Sequence, residues 1–232
     1  MNFLAYEKYQ FNRIYRGWHG HGGSMKKYLQ EFLLAILAGL AIAVGSVVFL
    51  TLSSEGLGAK IVGSLMFTVG LYTIVLNGLF LYTGKIGYLV NEKPSYLLTL
   101  LATWLGNFAG TFLGAKMMSL TKFGPALTEV ASKVSAAKVE QSILSAFILS
   151  IFCGMLMFIA VDGYKECKNP IILLLCVSVF ILCGFEHCVA NMFYFSMGNV
   201  WSLKVIGYLL IMTVGNSLGG MLIPFVKKAV KK

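Results

Sequence analysis

Apolar residues follow Met25 in six long runs, which are separated by short polar stretches that carry most of the lysines. Each run is close to the ~20 residues that an α-helix needs to cross the ~30 Å hydrocarbon core of a bilayer. The pattern therefore predicts an all-α integral membrane protein with six transmembrane helices. The runs extend from Leu29 to Leu52, Ile61 to Val90, Tyr96 to Met118, Val139 to Val161, Pro170 to Gly198, and Leu203 to Val226.

Two of the six runs are too long for a single crossing and are interrupted by polar residues and glycines. The second run is interrupted between Asn77 and Lys85, and the fifth is interrupted between Gly184 and His187. We therefore expect the second and fifth helices to be broken.

The two interruptions can be aligned with each other. An offset of 114 residues places Val75-Leu76-Asn77 on Val189-Ala190-Asn191 and Gly84 on Gly198, and it carries the start of the first run onto the start of the fourth. The chain then consists of two three-helix repeats, and an odd number of crossings per repeat forces the second copy to insert upside down. In such inverted repeats, paired broken helices form the binding site near the bilayer midplane. The expected architecture is aquaporin-like.

Composition agrees with a membrane protein. Of the 232 residues, 58% are hydrophobic and only 12% are charged, and the mean hydropathy is +0.80, which a soluble domain could not bury. The net charge of +10 would elsewhere suggest nucleic acid, but lysines gather at membrane-flanking ends, so we expect no nucleic-acid partner. The five cysteines lie mostly inside apolar runs without metal-ligand spacing, and we expect neither a metal nor another cofactor.

The lysines also indicate an orientation. One side of the predicted membrane domain holds Lys26, Lys27, Lys93, Lys165, Lys168, Lys227, Lys228, Lys231 and Lys232, and the other holds Lys60, Lys116, Lys122, Lys133, Lys138 and Lys204. The positive-inside rule places the richer side, and with it both termini, in the cytoplasm. We expect a multi-pass protein of the bacterial inner (plasma) membrane.

The N-terminal residues have a different character from the rest. Residues 1–24 are polar and aromatic, and they lack the apolar core of a signal peptide. We interpret them as a leader or N-terminal extension, with His19 and His21 solvated, before a six-helix channel domain of residues 25–232. His187 is then the only histidine of the membrane region.

Glu186 and His187 are the first candidates for function, because they place a carboxylate and an imidazole inside an apolar run. Such groups cost about 2.5 to 3.5 kcal/mol each on insertion scales and are kept where they face a pathway or a partner. We expect His187 to donate a proton or a hydrogen bond to an anion, with a tie between two helices as the structural alternative. We expect Glu186 to turn away and to accept hydrogen bonds from backbone amides of the other broken loop.

The expected ligand is an anion. Two broken helices would aim unpaired backbone amides and positive dipole ends at one point near the midplane. Hydroxyl and amide donors in the gaps would assist, and apolar side chains would form a dry constriction. The donors are Thr83, Asn77 and Asn191, and the apolar side chains are Phe67, Leu71 and Phe180.

The fifth run also contains a family signature. Gly184-Phe185-Glu186-His187-Cys188-Val189-Ala190-Asn191-Met192 resembles the signature of the formate/nitrite transporter family. Leu81-Tyr82-Thr83 resembles the omega loop of that family with its threonine, and Lys138 is similar to a lysine that draws anions into the outer vestibule. The resemblance covers nearly everything from Met25 onward.

The resemblance implies a homopentamer in which each subunit has its own pore for small monovalent anions such as formate, nitrite, hydrosulfide or lactate, with proton coupling at the central histidine as one mode of transport. His187 matches the central histidine of the family, whereas Gly184 and Glu186 would act structurally at the break. Gly154 stands where several formate-type members carry an asparagine, which favours the hydrosulfide-channel branch. The residues expected at the constriction are Phe67, Leu71, Leu81, Tyr82 and Phe180.

Two alternatives come from other functional classes. An aquaporin-like channel for neutral solutes would also use two half-helices, but it would carry Asn-Pro-Ala at both breaks, and here Gly78 follows Asn77 and Met192 follows Asn191. A membrane enzyme would have to rely on the adjacent Glu and His alone, because the chain has no His-Glu-x-x-His or Gly-x-Ser-x-Gly motif. We therefore do not expect an enzyme.

Overall fold

The computed structural model describes residues 24–230 as helices joined by turns, with no strand among them. The expectations for residues 1–23, which include His19 and His21, and for Lys231 and Lys232 lie outside the described residues. The α-helices are α1 Ser24–Ser53, α2 Leu57–Met66, α3 Thr68–Leu76, α4 Tyr82–Lys85, α5 Tyr96–Ser119, α6 Gly124–Glu140, α7 Ile143–Cys167, α8 Ile171–Leu182, α9 Cys188–Met197 and α10 Leu203–Val230. A 3₁₀-helix, Ile86–Asn91, follows α4.

Within residues 24–230, five helical stretches are long and apolar enough to cross a bilayer. They are α1, the consecutive pair α2–α3, α5, α7 and α10. The fifth predicted run is divided between α8 and α9, which have only 12 and 10 residues. Every residue of α9 is buried, so this short helix lies inside the protein and is covered by the longer ones.

The fourth predicted run begins too early. Val139 belongs to α6, a helix in which polar and apolar residues are interspersed and which the apolar runs did not predict, and α7 begins only at Ile143. Gln141 and Ser142 have extended backbone and separate the two helices. The Ser142 hydroxyl accepts the Ser145 N–H (3.1 Å) and thereby caps α7.

Both interruptions end a helix through a glycine in the left-handed conformation. Gly78 follows α3 closely with a φ of 61°, and Gly184 follows α8 with a φ of 67°. The next amide donates to a carbonyl five residues earlier, at 2.9 Å for Leu79 and 2.8 Å for Phe185. Because glycine reaches this conformation without strain, it ends helices in this way. Each helix therefore stops in the middle of an apolar run.

The 114-residue offset is wrong at the breaks. The two left-handed glycines are 106 residues apart, and the same offset relates Leu81 to His187. Both of these residues have extended backbone before a short helix, with φ and ψ of −104° and 126° for Leu81 and of −97° and 111° for His187. Asn77 is therefore not the counterpart of Asn191. The 114-residue offset rested on a few identical residues. Two equivalent helix ends are stronger evidence for the alignment of the repeats.

Glycines allow α5 to pack closely against α1. Gly106, Gly110 and Gly114 recur at four-residue spacing in α5 and all face α1. A Cβ atom at Gly106 would lie 2.6 Å from Ala35 Cβ, and one at Gly110 would lie 2.1 Å from a backbone carbonyl of α1. Small residues thus bring the two backbones together, and α7 and α10 meet in the same way in the second half.

Candidate functional site

His187 and Thr83 bring the two breaks into contact. His187 is the N-cap residue of α9, and its Nδ1 accepts the Ala190 N–H (3.0 Å). The other ring nitrogen, Nε2, lies 2.8 Å from Thr83 Oγ1 in α4. A neutral imidazole that accepts at Nδ1 carries its proton on Nε2, so Nε2–H donates to the threonine oxygen. The threonine hydroxyl then keeps its own hydrogen for another acceptor.

Three backbone amides at the helix starts are already engaged by side chains. Asn107 Oδ1 accepts the Tyr82 N–H (2.9 Å), and Asn216 Oδ1 accepts the Cys188 N–H (2.8 Å). A third amide, in the first turn of α9, is the one that His187 Nδ1 caps. The expectation of unpaired amides is wrong for these three groups. A ligand between the breaks would therefore meet side-chain donors instead.

Aromatic and aliphatic side chains surround this contact. The Phe180 ring stacks on the His187 ring with 5.5 Å between centroids and an interplanar angle of 26°. Phe67 meets Phe180 edge-on, with 5.9 Å between centroids. Leu71 and Leu81 belong to the same buried cluster. Four of the five expected constriction residues are thus buried apolar side chains in the core that contains the contact.

Glu186 accepts hydrogen bonds from three side chains. Its Oε2 accepts from Lys138 Nζ (2.7 Å) and from Asn191 Nδ2 (2.7 Å), and its Oε1 accepts from Gln141 Nε2 (2.8 Å). The expected partners, backbone amides of the other broken loop, are not the ones that hold it. The last turn of α6 supplies a cation and the α6–α7 connection supplies an amide instead. Together they compensate a carboxylate that could not stay buried and charged alone.

Lys138 lines a cavity together with Lys133, but its ammonium group is paired with Glu186. Its side chain is only 14% exposed, and its partner Glu186 is 3% exposed, so the pair is largely removed from water. Lys133 is the open lysine of this helix, at 75% exposure, and it pairs with the exposed Glu129 on the surface. The two lysines are five residues apart, but only Lys138 neutralises a charge inside the protein.

A cavity of about 590 Å³ leads to these residues. His187, Phe180, Glu186 and Asn191 line its inner part, and Lys60 lines it as well. Asn191 Oδ1 is buried and has no hydrogen-bond partner among residues 24–230. The cavity therefore leads from lysines at the surface to His187, one of the two partners in the contact between the breaks.

Three other predicted residues have positions of their own. Asn77 is exposed, does not line the cavity, and donates through Nδ2 to Thr73 O (2.9 Å), which ends α3. Gly184 lines the cavity and ends α8. Tyr82 is only partly buried, and its hydroxyl lies 2.8 Å from Ser217 Oγ.

Sequence reasoning missed Asn107, Asn216 and Gln141. Both asparagines are fully buried and bond the breaks. A signal for them was present, because Gly-Asn-x-x-Gly occurs at Gly106–Gly110 in α5 and again at Gly215–Gly219 in α10. Gln141 gave no comparable signal. The described part of the chain holds no cluster of three or more His, Cys, Asp or Glu side chains that could bind a metal ion.

The model of one protein family, the formate/nitrite transporters, matches residues 20–228. The chain belongs to the formate/nitrite transporter family. The members of this family are transporters rather than enzymes, and the helices of this chain are consistent with a multi-pass membrane protein.

Individual relatives support the family assignment. The formate channel FocA of Escherichia coli K12 is 31% identical over 196 residues, which are 75% of this chain and 68% of that protein. The FocA of Haemophilus influenzae is 28% identical over 194 residues with the same coverage. A solved structure of a pentameric formate channel with formate bound matches with a TM-score of 0.78 at 24% identity and covers 89% of this chain and 98% of that chain. The chain therefore has the fold of these channels.

Proposed function

We propose that the protein is a channel for small monovalent anions and that each subunit of a homopentamer contains one pore. The observation that carries the proposal is the bond between Thr83 and His187, which joins the two breaks at the end of the cavity. The names of the relatives, which are formate channels, and the pentameric formate channel of the same fold support both parts of the proposal.

The proposal includes an arrangement in the membrane. α8 and α9 together form the fifth crossing, and α2–α3 with α4 and the 3₁₀-helix form the second, which gives six crossings in two inverted repeats of residues 25–232. The 106-residue offset of the two helix ends supports the repeats. The lysine distribution supports cytoplasmic termini and a place in the bacterial inner membrane.

Within the pore, donors replace the water that the anion loses. An anion that enters the cavity past the lysines reaches His187, which lines it, and the Thr83 hydroxyl lies behind the imidazole, 2.8 Å from Nε2. The surrounding rings of Phe67 and Phe180 exclude water, so hydrogen bonds there are stronger than in bulk solvent. A carboxylate beside this path would repel the anion, but Lys138 neutralises Glu186. The anion passes either beside the donating imidazole or as its neutral acid.

The substrate proposal covers formate, nitrite and hydrosulfide. In the sequence, Gly154 favoured hydrosulfide as the substrate. In the structure, a Cβ atom at this position would lie 2.1 Å from Asn216 O on α10. A glycine is therefore needed for helix packing at this place, and its presence says little about which anion passes. Hydrosulfide remains a candidate alongside formate and nitrite.

Purified protein in liposomes should pass formate, nitrite or hydrosulfide and exclude potassium and sulfate. Entering a dry constriction costs a monovalent anion part of its hydration free energy, and it costs a divalent anion such as sulfate much more. Light scattering after rapid mixing measures the flux of each ion, and protein-free liposomes give the background. Potassium or sulfate flux as fast as that of formate would contradict the proposal. Passage of water or small neutral solutes without anions would favour the aquaporin-like alternative.

Thr83 should act as a hydroxyl donor. Thr83→Ser keeps the hydroxyl and should retain formate flux within about threefold, whereas Thr83→Val keeps the shape but should lose about tenfold or more, because a buried hydrogen bond is removed. The same liposome assay compares the two variants, with the pentamer checked by light scattering. Equal flux in both variants would leave Thr83 with a packing role only.

A further inference from the structure

Asn107 makes three hydrogen bonds that tie α1, α5 and the first break together. Its side chain is fully buried in the middle of α5. Nδ2 donates to Phe80 O (2.8 Å) and to Ala35 O (2.9 Å), and Oδ1 accepts the Tyr82 N–H (2.9 Å). One amide group thus holds the chain on both sides of a single residue, Leu81.

Asn216 repeats these bonds in the second half of the chain. It is fully buried in α10. Its Nδ2 donates to Glu186 O (2.8 Å) and to Ser150 O (2.7 Å), and its Oδ1 accepts the Cys188 N–H (2.8 Å). Here the residue between the two bonded positions is His187. Leu81 and His187 therefore occupy equivalent places, one in each break.

We propose that Asn107 and Asn216 are paired positioning residues for the pore. Asn216 fixes the backbone on both sides of His187. Asn107 fixes the backbone on both sides of Leu81, and through Tyr82 it sets the position of Thr83 against the imidazole. The inference rests on the proposed channel function and assigns to these two side chains the geometry on which that function depends.

The chemistry of the break explains why asparagine is needed. Backbone groups outside a helix find no water inside a membrane protein and must be bonded internally. Each break presents one carbonyl and one N–H, and the neighbouring first helix of that half presents another carbonyl. A carboxamide offers two N–H donors and a carbonyl acceptor on one rigid plane. Aspartate lacks the donors, and leucine lacks every polar atom.

Glycines beside the asparagines bring the carbonyls within reach. A Cβ atom at Gly106 would lie 2.6 Å from Ala35 Cβ, and one at Gly215 would lie 2.5 Å from Ser150 Cβ. Only a residue without a side chain permits such an approach of two helices. The Gly-Asn pair therefore works as a unit: the glycine brings the helices together, and the asparagine bonds the neighbouring helix and the break at once.

Asn107→Asp tests this role, because it keeps the shape and the Oδ1 acceptor but replaces the amide donors. Formate flux through liposomes should fall about tenfold or more, and Asn216→Asp should fall similarly. Asn169→Asp is the matched control. Asn169 is exposed, and its Oδ1 accepts the Ile171 N–H (3.0 Å), a bond that aspartate retains, so flux should stay within about twofold of the wild type. Unchanged flux in Asn107→Asp would overturn the inference.

A double variant distinguishes positioning from general stabilisation. If Asn107 acts through Thr83, the two substitutions should not add. The flux of the double variant, Asn107→Asp with Thr83→Val, should equal that of whichever single variant conducts less, within about twofold. Sites that act independently show additive effects instead. Fully additive losses in correctly assembled pentamers would therefore overturn the inference.

Amide hydrogen exchange in the wild-type protein gives a test that needs no variant to fold. The Tyr82 and Cys188 amides should exchange as slowly as the helical amides of α5, since each is bonded by a buried side chain. Exchange as fast as at the exposed turn of Ser54 and Glu55 would overturn the inference. Absence of anion flux in the wild type would refute the proposed function alone, and the exchange rates would still decide whether the asparagines hold the breaks.

Discussion

Lys138→Met should destabilise the folded subunit by about 3–5 kcal/mol, because it leaves the buried Glu186 carboxylate without its cation. Methionine keeps the volume of the lysine stem, so lost packing contributes little. The remaining partners of Glu186, Gln141 and Asn191, are neutral amides and cannot balance the charge. The effect on flux should follow from the same cause, since an uncompensated carboxylate beside His187 would repel anions.

Thermal unfolding in detergent can measure this loss with a thiol-reactive dye. Cys153, Cys176 and Cys188 are buried as free thiols, and they become reactive when the subunit unfolds. Two further variants make the test specific. Lys138→Met with Glu186→Gln removes both charges and should recover most of the lost stability. Lys133→Met breaks an exposed pair with Glu129 and should shift the unfolding midpoint little. Equal shifts for the two lysine variants would contradict the assignment.

His187→Asn should abolish the pH dependence of anion flux while the protein stays folded. Asparagine is a good N-cap residue, so it can still accept the Ala190 N–H that His187 accepts now. Its amide also keeps a donor near Thr83. What it lacks is a ring nitrogen that can take up and release a proton. The variant therefore distinguishes the role of His187 in proton transfer from its role as a hydrogen-bond partner.

The sign of the effect follows from the path of the anion. If the wild type passes the anion as its neutral acid with a proton from His187, flux should rise as pH falls and should carry no net charge. In His187→Asn this acceleration should disappear. Liposomes with an internal pH dye and a potassium–valinomycin potential separate proton-coupled uptake from current. A folded variant with unchanged pH dependence would return His187 to a structural role.

The sequence was most informative where chemistry was concentrated in one segment. The signature around His187, together with the apolar runs, was sufficient for the family and for the class of fold. Thr83 could be singled out because an omega-loop motif of adjacent residues surrounds it. These features lie within single segments of the chain. A few polar residues inside an apolar run are easily identified as candidates for the site.

Contacts between distant segments could not be predicted in the same way. Glu186 bonds Lys138 and Gln141, which are 48 and 45 residues away, and α6, which carries Lys138, is too polar to appear among apolar runs. The 114-residue offset between the repeats was wrong because it was based on identical residues at the breaks, where the side chains of the two halves differ. The backbone is what the halves share, and its markers are the left-handed glycines and the two Gly-Asn pairs.

The equivalence of Leu81 and His187 limits how strongly a subunit could concentrate its substrate. Residues 24–230 contain a single histidine, and the equivalent place in the other half is aliphatic, so the pore offers one imidazole and not a relay of two. A monovalent anion that passes as its neutral acid carries one proton, so the coupling would be one to one. One proton per anion permits an accumulation of about tenfold for each unit of pH difference across the membrane, since one unit corresponds to about 1.36 kcal/mol. Steeper gradients of the anion would require metabolism on one side of the membrane.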